Sequence, residues 1–536
     1  MALAVTLLLC AAHGVMTTRG VSAPPDQDAL RDIGFAQALL DGNWFGDPSY
    51  PGALRYYPPL LSVLAAVAAA LSGAGEDLPG FWVSIGPWVN LAVPLCFFLM
   101  ARRLLGGAAA GAAACLVFVL WNGAAGPPSA MGGYSPWLFA PGFAQAFFFL
   151  AILLIHARVA GGRLRDAALI GGAIGLAFLA HIVPAVVLVV VVTATAFAVQ
   201  GLRPRTVVWL SVVAAAQLAT VAPYLLPAAL LHSDGVVNHV PAWWVAPFLR
   251  LDADAVAYVV LLNLPGAAAA ALLWRRRLRG TAGGMDRRTA VILLSWAGAC
   301  IVALGRHYAC EAVRAVNGAA PSACSVFVLT IHHYHLYLQV AAACALGYAA
   351  SLLLPRRRRR APAGASMPPR PPRASTVLAL GLAGVVGGTL FLSRPYDRAL
   401  RALALDHPDG YTIDLAAYRW VLANTAPGDL FVTRPSEGGS LLDPAVFTVI
   451  ASGRAAAAVP PVFSNPFVRW EERDALRRRF LSAVSDAGTP MPCAPAGQPV
   501  WLMLPVGSAV DPGRASPVFE GRRHTISRVA APACAS

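Results

Sequence analysis

Three aspartates stand within seven residues in "PDQDALRD", directly after the first hydrophobic run of a chain that has only 26 acidic residues. A carboxylate can take a proton from a nucleophile, hold a cation or cap a helix, so Asp26, Asp28 and Asp32 are the first candidates for chemistry. The competing role is structural: a helix starting near Ala29 needs an N-cap, and Asp28 itself is well placed to be one. Asp32, one turn on, either supports the same site or lies on a solvated helix face. Asp41 and Asp47, beside Gly42 and Pro48, read as turn residues.

A second group of residues suits an anion. Arg306, His307 and Arg314 fall in "GRHYACEAVR", and His332, His333 and His335 in "IHHYHLY", where cations and ring N–H donors together could cradle a phosphate. Zinc is the lesser reading of the three histidines, because no neighbouring cysteine or acid completes a ligand set. The plainer alternative is an interfacial, partly solvated cluster. His181, in "LAHIVP", interrupts an apolar stretch where a tight turn is required. Tyr134 follows Gly132 and Gly133 and offers a ring face to a substrate, or belongs to an ordinary turn. Trp243 and Trp244 read first as interfacial anchors. No P-loop, dinucleotide fingerprint or Gly-x-Ser-x-Gly stands in a fitting context.

The elements that must position these groups are membrane helices. With 57% hydrophobic and 12% charged residues over 536 positions, the composition is that of an all-α polytopic membrane protein rather than a soluble one. Apolar runs that reach or approach the length needed to span hydrocarbon give eleven expected crossings. They are Ala2–Met16, Phe81–Ala101, Ala108–Trp121, Trp137–Ile155, Ala167–Ala180, Pro184–Val199, Val207–Leu230, Ala255–Trp274, Thr289–Leu304, Tyr334–Leu354 and Thr376–Leu392. The first run lacks a basic leader and a convincing cleavage site, which favours an uncleaved anchor over a signal peptide.

Charge sets the orientation. All 41 basic residues are arginine, and Arg102, Arg103, Arg158, Arg163, Arg165, Arg203, Arg205, Arg287 and Arg288 fall in alternate connections together with the Arg275–Arg279 and Arg356–Arg360 runs. The positive-inside rule makes those connections cytoplasmic, places the N-terminus in the cytoplasm and leaves the acids, Asp166 and Asp286 excepted, on the extracytoplasmic side. The protein is then expected in the plasma membrane. Pro59–Gly73 is apolar but its flanks lie on one side, so it is expected to be a short re-entrant or interfacial helix. Residues 1–393 form the transmembrane domain, with a long external loop at 17–58 and a cytoplasmic Arg/Pro-rich linker at 356–373, which is a solvated segment near lipid rather than a nucleic-acid site.

From residue 394 to 536 the composition shifts. Half of the acids lie there, and "YRWVLANTAPGDLFVTRP" reads as a helix that ends before Pro427-Gly428 and a strand at Leu430–Thr433. A small extracytoplasmic α/β domain follows. Cys310, Cys324, Cys493 and Cys534 all fall in segments assigned to the oxidising side, and bridges Cys310–Cys324 and Cys493–Cys534 are suggested. Cys10, Cys96, Cys115, Cys300 and Cys344 lie in apolar helices as small buried side chains.

Clustered acids after a first helix, an amphipathic helix, then "RYYPPL" leading back to the bilayer resemble the first external loop of GT-C membrane glycosyltransferases. That superfamily includes oligosaccharyltransferase catalytic subunits, protein mannosyltransferases and the lipid A aminoarabinose transferase. The resemblance is sharpest over Asp26–Leu60 and implies a polyprenyl-phosphate-linked sugar donor, an extracytoplasmic glycan, lipid or protein as acceptor, and single displacement with inversion by one carboxylate, Asp28 or Asp26. For such chemistry the cradle read above, Arg306, His307, Arg314, His332, His333 and His335, is the expected partner of the departing phosphate, with Tyr134 and His181 as further substrate-binding candidates. Where oligosaccharyltransferases carry a paired acidic motif in the second external loop, this chain has "AGPPSAMGGYSP" without a carboxylate, so a divalent cation is the weaker expectation. The competing functions are a transporter or lipid flippase, against which no acid lies within a crossing, and a non-catalytic protein of the same fold.

Overall fold

The computed structural model describes residues 2–120, 132–231, 235–238, 252–278, 286–318, 331–353, 394–434, 443–494 and 498–534. Long runs of alanine, valine and leucine fold as helices because in an apolar solvent every backbone N–H must find its carbonyl within the segment. In chain order they are α1 (Ala2–Thr18), α2 (Gln27–Leu40), α3 (Leu60–Ser72), α4 (Leu78–Val89), α5 (Ala92–Leu104), α6 (Ala108–Leu120) and α7 (Ala140–Arg158). They continue with α8 (Leu164–Ala180), α9 (Ile182–Gln200), α10 (Pro204–Leu231), α11 (Ala253–Leu278), α12 (Arg287–Asn317) and α13 (Ile331–Leu353).

Among the described residues, six helical stretches are long and apolar enough to cross a membrane, against the eleven expected: Gly75–Leu104, Ala140–Gly161, Ile182–Gln200, Pro204–Leu231, Ala253–Ala271 and Arg287–Asn317. The differences have local causes. The expected span Phe81–Ala101 falls within Gly75–Leu104, with a turn at Asn90 and Leu91 between α4 and α5, where the Asn90 side chain donates to the Ser135 and Trp137 carbonyls. Helices α1 and α6 are short. The expected loop "GRHYACEAVR" is instead the continuation of α12 to Asn317. The expected span Thr376–Leu392 and the linker 356–373 lie outside the described residues.

Close backbone approach holds the bundle. A Cβ on Gly171 of α8 would stand 2.2 Å from the Val213 carbonyl of α10, so only glycine permits that contact. The apolar core runs from Phe97, Phe118 and Phe149 through Trp296 to Tyr337. Helix α3 has 13 residues, about 20 Å of rise, which is too short to cross; Leu64, Val67 and Leu71 are exposed along one side of it.

The C-terminal part contributes α14 (Pro395–Asp406), α15 (Leu415–Asn424), α16 (Pro444–Ala451) and α17 (Trp470–Ser485), and strands β1 (Leu430–Thr433), β2 (Ala455–Ala456), β3 (Val500–Pro505), β4 (Ala515–Glu520) and β5 (His524–Val529). The five-stranded sheet has the order β2-β1-β3-β5-β4, parallel on the β1 side and antiparallel through β3, β5 and β4. Alternation sends Phe431, Trp501, Met503 and Ile526 to one face, and Leu430, Val432, Val500 and Leu502 to the other. Cys493 and Cys534 are bridged, as suggested. Cys310 is disulfide-bonded, while Cys324 lies outside the described residues.

One core is shared between distant parts of the chain. Residues of α2, α3 and α4, the start of α7, α15, α16 and one sheet face pack together. Tyr50 bonds Ser464 at 3.0 Å, Asn465 donates to Asp47 at 2.8 Å, and Arg454 donates to Asp41 at 2.6 Å. Helix α2 is consequently buried on nearly all sides, rather than presenting the solvated face expected of an amphipathic loop helix.

Candidate active site

The site is built on the first turns of α2. The helix starts at Gln27, not near Ala29, and its N-cap is Asp26, whose Oδ1 accepts from the Asp28 amide at 2.8 Å. The capping role considered for Asp28 therefore belongs to Asp26, and the Asp28 carboxylate is left to face outward. Burial, followed by the nearby Asp28 charge, raises the Asp26 carboxyl above its ordinary range. Asp26 also lines a narrow apolar hollow with Pro24, Trp82, Trp137 and Phe139.

Arg31, one turn after Asp28, lies between two carboxylates. Its Nη1 donates to Asp28 Oδ1 at 2.9 Å, while Nε and Nη2 donate to Asp32 Oδ1 at 3.1 and 2.9 Å. The side chain of Asp28 is 37% exposed and that of Asp32 only 1%, so Asp28 is the open end of the group. The solvated face expected for Asp32 is thus corrected: Ser62 of α3 closes over the Asp32 backbone. Burial outweighs the adjacent Arg31 charge and pushes the Asp32 carboxyl up to about 6. Burial opposes the Arg31 charge in turn, but Asp32, Tyr57 and Asp28 outweigh it.

Aromatic rings extend the group toward the bundle. The Arg31 guanidinium carbon sits 3.7 Å from the Tyr57 ring centroid and 5.9 Å from that of Phe463 in the C-terminal part. Tyr57 is 6.2 Å from His181, His181 is 4.3 Å from His333, and His333 is 4.1 Å from His332, all between ring centroids. His335 Nε2 lies 3.1 Å from Asn263 Nδ2 of α11. His181 is positioned as the break itself: α8 ends at Ala180, α9 begins at Ile182, and His181 Nδ1 accepts from the Val183 amide. His332, His333 and His335 occupy the first turn of α13 and are buried, not partly solvated.

The structure thus brings Asp26, Asp28, His181, His332 and His333 into one continuous neighbourhood, with His335 behind them. Arg306 and Arg314 sit elsewhere. Both are on the last turns of α12, Arg306 exposed and Arg314 paired with Glu311 at 2.8 Å. His307 is buried on the same helix beside Tyr308. Tyr134 is in the core, 1% exposed, with its hydroxyl donating to the Pro87 carbonyl and its own carbonyl accepting from Arg394. Its ring is packed rather than offered to a substrate. Trp243, Trp244 and Ala125–Met131 lie outside the described residues.

Sequence reading missed Arg31 as a partner, although its spacing after Asp28 is that of a helical ion pair. It also passed over Tyr57, which only the fold brings to His181. Among the described residues no three His, Cys, Asp or Glu side chains converge as a metal site.

What the arrangement offers is a half-open carboxylate, a guanidinium that aims it, and a file of imidazoles next to both. The helical bundle and the small α/β part together have the fold of a solved protein, ArnT. Among solved structures, apo ArnT from Cupriavidus metallidurans aligns over 98% of this chain and 97% of its own, at 15% identity and a TM-score of 0.53. The same protein bound to undecaprenyl phosphate aligns over 99% of both chains at 14% identity and a TM-score of 0.48. The oligosaccharyltransferase AglB from Archaeoglobus fulgidus, in complex with an inhibitory peptide and a dolichol-phosphate, aligns over 94% of this chain and 69% of its own at 12% identity and a TM-score of 0.43. At these identities the likeness is one of fold. No family model and no curated sequence matches the chain. The chain has this fold, and six of its described helical stretches are long and apolar enough to cross a membrane.

Proposed function

We propose that the protein is a membrane glycosyltransferase that moves a sugar from a polyprenyl-phosphate-linked donor to an extracytoplasmic glycan, lipid or protein. Asp28 is the base. The observation that supports this reading is its position: a half-exposed carboxylate, aimed by Arg31, on the first helix after α1 in a chain with this fold.

The acceptor hydroxyl gives its proton to Asp28 as its oxygen attacks the anomeric carbon. The bond from that carbon to the phosphate oxygen breaks on the opposite face, which inverts the configuration. The charge developing on the departing phosphate needs donors, and His181, His332 and His333 are the polar groups adjacent to the Arg31–Tyr57 pair. Arg306, His307 and Arg314, on α12, serve the phosphate or the polar headgroup region from a greater remove. Asp26 is the alternative base, disfavoured because its Oδ1 already caps α2.

The orientation follows from charge. Arg102 and Arg103 end α5, Arg158 ends α7, Arg203 and Arg205 start α10, and Arg287 and Arg288 start α12. Helices α7, α8, α9 and α13 present their opposite ends, near Ala140, Ala180, Ile182 and Ile331, to the Asp28 site. The positive-inside rule then puts the arginines in the cytoplasm and the site outside.

The test is transfer by the purified protein in lipid, from a panel of radiolabelled polyprenyl-phosphate sugars to a cell-envelope acceptor. Asp28→Asn should insert normally, since the side chain is half open, yet lose transfer by roughly 100-fold or more, the usual worth of a positioned base. Asp26→Asn, which keeps a capping oxygen, should retain most of it. Transfer undiminished in Asp28→Asn would sink the reading.

A further inference from the structure

Arg31 donates to two carboxylates at once, and the two are not alike. Asp28 is the open partner, whereas Asp32 is buried and receives two of the three donor atoms through one oxygen. The triad carries two negative charges and one positive, a net charge of one negative. When Asp28 accepts the proton of an attacking hydroxyl, that net charge is cancelled, and the Arg31–Asp32 pair left behind is neutral.

An arginine paired with Asp28 alone would aim it well but weaken it as a base, because a full cation within contact distance favours the ionised form by one to three orders of magnitude. With no arginine, two carboxylates would share a confined space and the first proton would be held too tightly to leave. We propose that Asp32 is a positioning residue that takes up the larger part of the Arg31 charge, so that Arg31 orients Asp28 without quenching its basicity. This rests on Asp28 being the base.

The supporting geometry is specific. The Tyr57 ring lies against the guanidinium at 3.7 Å and fixes its plane, and Ser62 Oγ donates to the Asp32 carbonyl at 3.2 Å, tying that turn of α2 to α3. The other titratable groups facing Asp28 are Asp26 at the cap of its own helix, Tyr57 from the segment before α3 and Tyr396 from α14. Behind Arg31 stand His181 and His333, which the same guanidinium charge reaches. Asp32 is set apart from them by accepting from Arg31 at both Nε and Nη2 through one oxygen.

Two substitutions should therefore move the protonation midpoint of Asp28 in opposite directions. Asp32→Asn leaves the whole Arg31 charge on Asp28 and should lower its midpoint by about one pH unit; Arg31→Gln leaves the carboxylates unscreened and should raise it by about as much. The measurement is an infrared titration of the full-length protein in lipid with carbon-13-labelled aspartate, the Asp28→Asn spectrum being subtracted to isolate the Asp28 band. Arg31→Lys, which keeps a point charge but loses the fork, should stay closer to wild type than Arg31→Gln, and this pair carries the test if Asp32→Asn does not fold.

The acid limb of the transfer rate against pH, measured on the same variants, should follow the spectroscopic midpoints. Midpoints that shift in the same direction, or Arg31→Lys and Arg31→Gln that both titrate like wild type, would overturn the proposal. Because the infrared titration needs no turnover, it judges the triad even if no sugar is transferred, whereas loss of the functional reading would appear as Asp28→Asn retaining full transfer.

Discussion

Gly34 lies at the midpoint of α2, on the side that meets α16. A Cβ there would stand 2.0 Å from the Ile450 carbonyl oxygen and 2.9 Å from its carbon, against an ordinary contact of 3.4 Å or more. Both sides are backbone, so no side chain can rotate away. The carbonyl is also engaged, since it accepts from the Gly453 amide at 3.0 Å in the turn that ends α16. In Gly34→Ala two effects oppose each other. Alanine gains about 1 kcal/mol of helix propensity over glycine, while overpacking that forces a backbone shift costs about 1–3 kcal/mol. A clash this deep demands a retreat of about 1 Å and sits at the upper end of that range, giving a net loss of about 1–2 kcal/mol.

Gly298 of α12, with nothing within 4 Å of its Cβ position, is the control. Gly298→Ala should be neutral or gain up to about 1 kcal/mol from propensity alone. The assay is the apparent unfolding temperature of the protein in lipid nanodiscs, with the release of the C-terminal part by limited proteolysis recorded alongside. Gly34→Ala should unfold at lower temperature, shed its C-terminal part sooner and lose transfer, because α2 also carries Asp28. If Gly34→Ala unfolds within about 1 °C of wild type and resists protease equally, the close seating of α16 on α2 is wrong.

Two more predictions concern the same seam. Burial pushes both Asp32 and Asp47 up to about 6 from an ordinary 3.8, so the folded state binds their protons more tightly than the unfolded chain does. Their contribution therefore falls as pH rises from about 4 to 6 and is flat above that, and the unfolding temperature should decline over this window, less steeply in Asp47→Asn. An equal slope in Asp47→Asn and wild type would refute it. Arg454 is 3% exposed and donates to Asp41, to the Thr425 hydroxyl and carbonyl, and to the Ser452 carbonyl. Arg454→Ala should cost about 3 kcal/mol by stranding these acceptors, and Asp41→Asn clearly less, since three of the four bonds survive; the same unfolding assay ranks the two.

Much of the helical framework was legible because hydrophobicity in a membrane protein is a one-dimensional signal. The runs at Trp137–Ile155, Pro184–Val199 and Val207–Leu230 carry little besides apolar side chains, and they fold as α7, α9 and α10. The strand at Leu430–Thr433 and the helix before it were legible for a different reason, the Pro427-Gly428 break between them. What the pattern could not supply was length and continuity at the ends. A polar stretch such as "GRHYACEAVR" reads as a loop, but α12 continues through it, with Arg314 and Glu311 paired one turn apart on its surface. Conversely, the apolar run Phe81–Ala101 carries a turn at Asn90 and Leu91 that divides it into α4 and α5, which hydropathy alone does not mark.

The site was legible in its residue types and illegible in its pairings. Three aspartates and a run of histidines stand out in a chain poor in both, yet nothing in their spacing says that Asp26 would spend its oxygen on the cap, or that His181 and His333, far apart in sequence, would come within 4.3 Å. The burial of Asp32 was hidden for the same reason: it depends on α3 packing against one side of α2, which no local pattern in α2 encodes. One helix of 14 residues thereby serves two demands. Its first turns hold the open carboxylate and its counter-charge, and its middle seats the C-terminal part through a glycine that admits no side chain. A change at the seam should therefore reach the chemistry through a rigid α2, while a change in the Asp28–Arg31–Asp32 group, apart from that contact, should leave the seating of α16 intact.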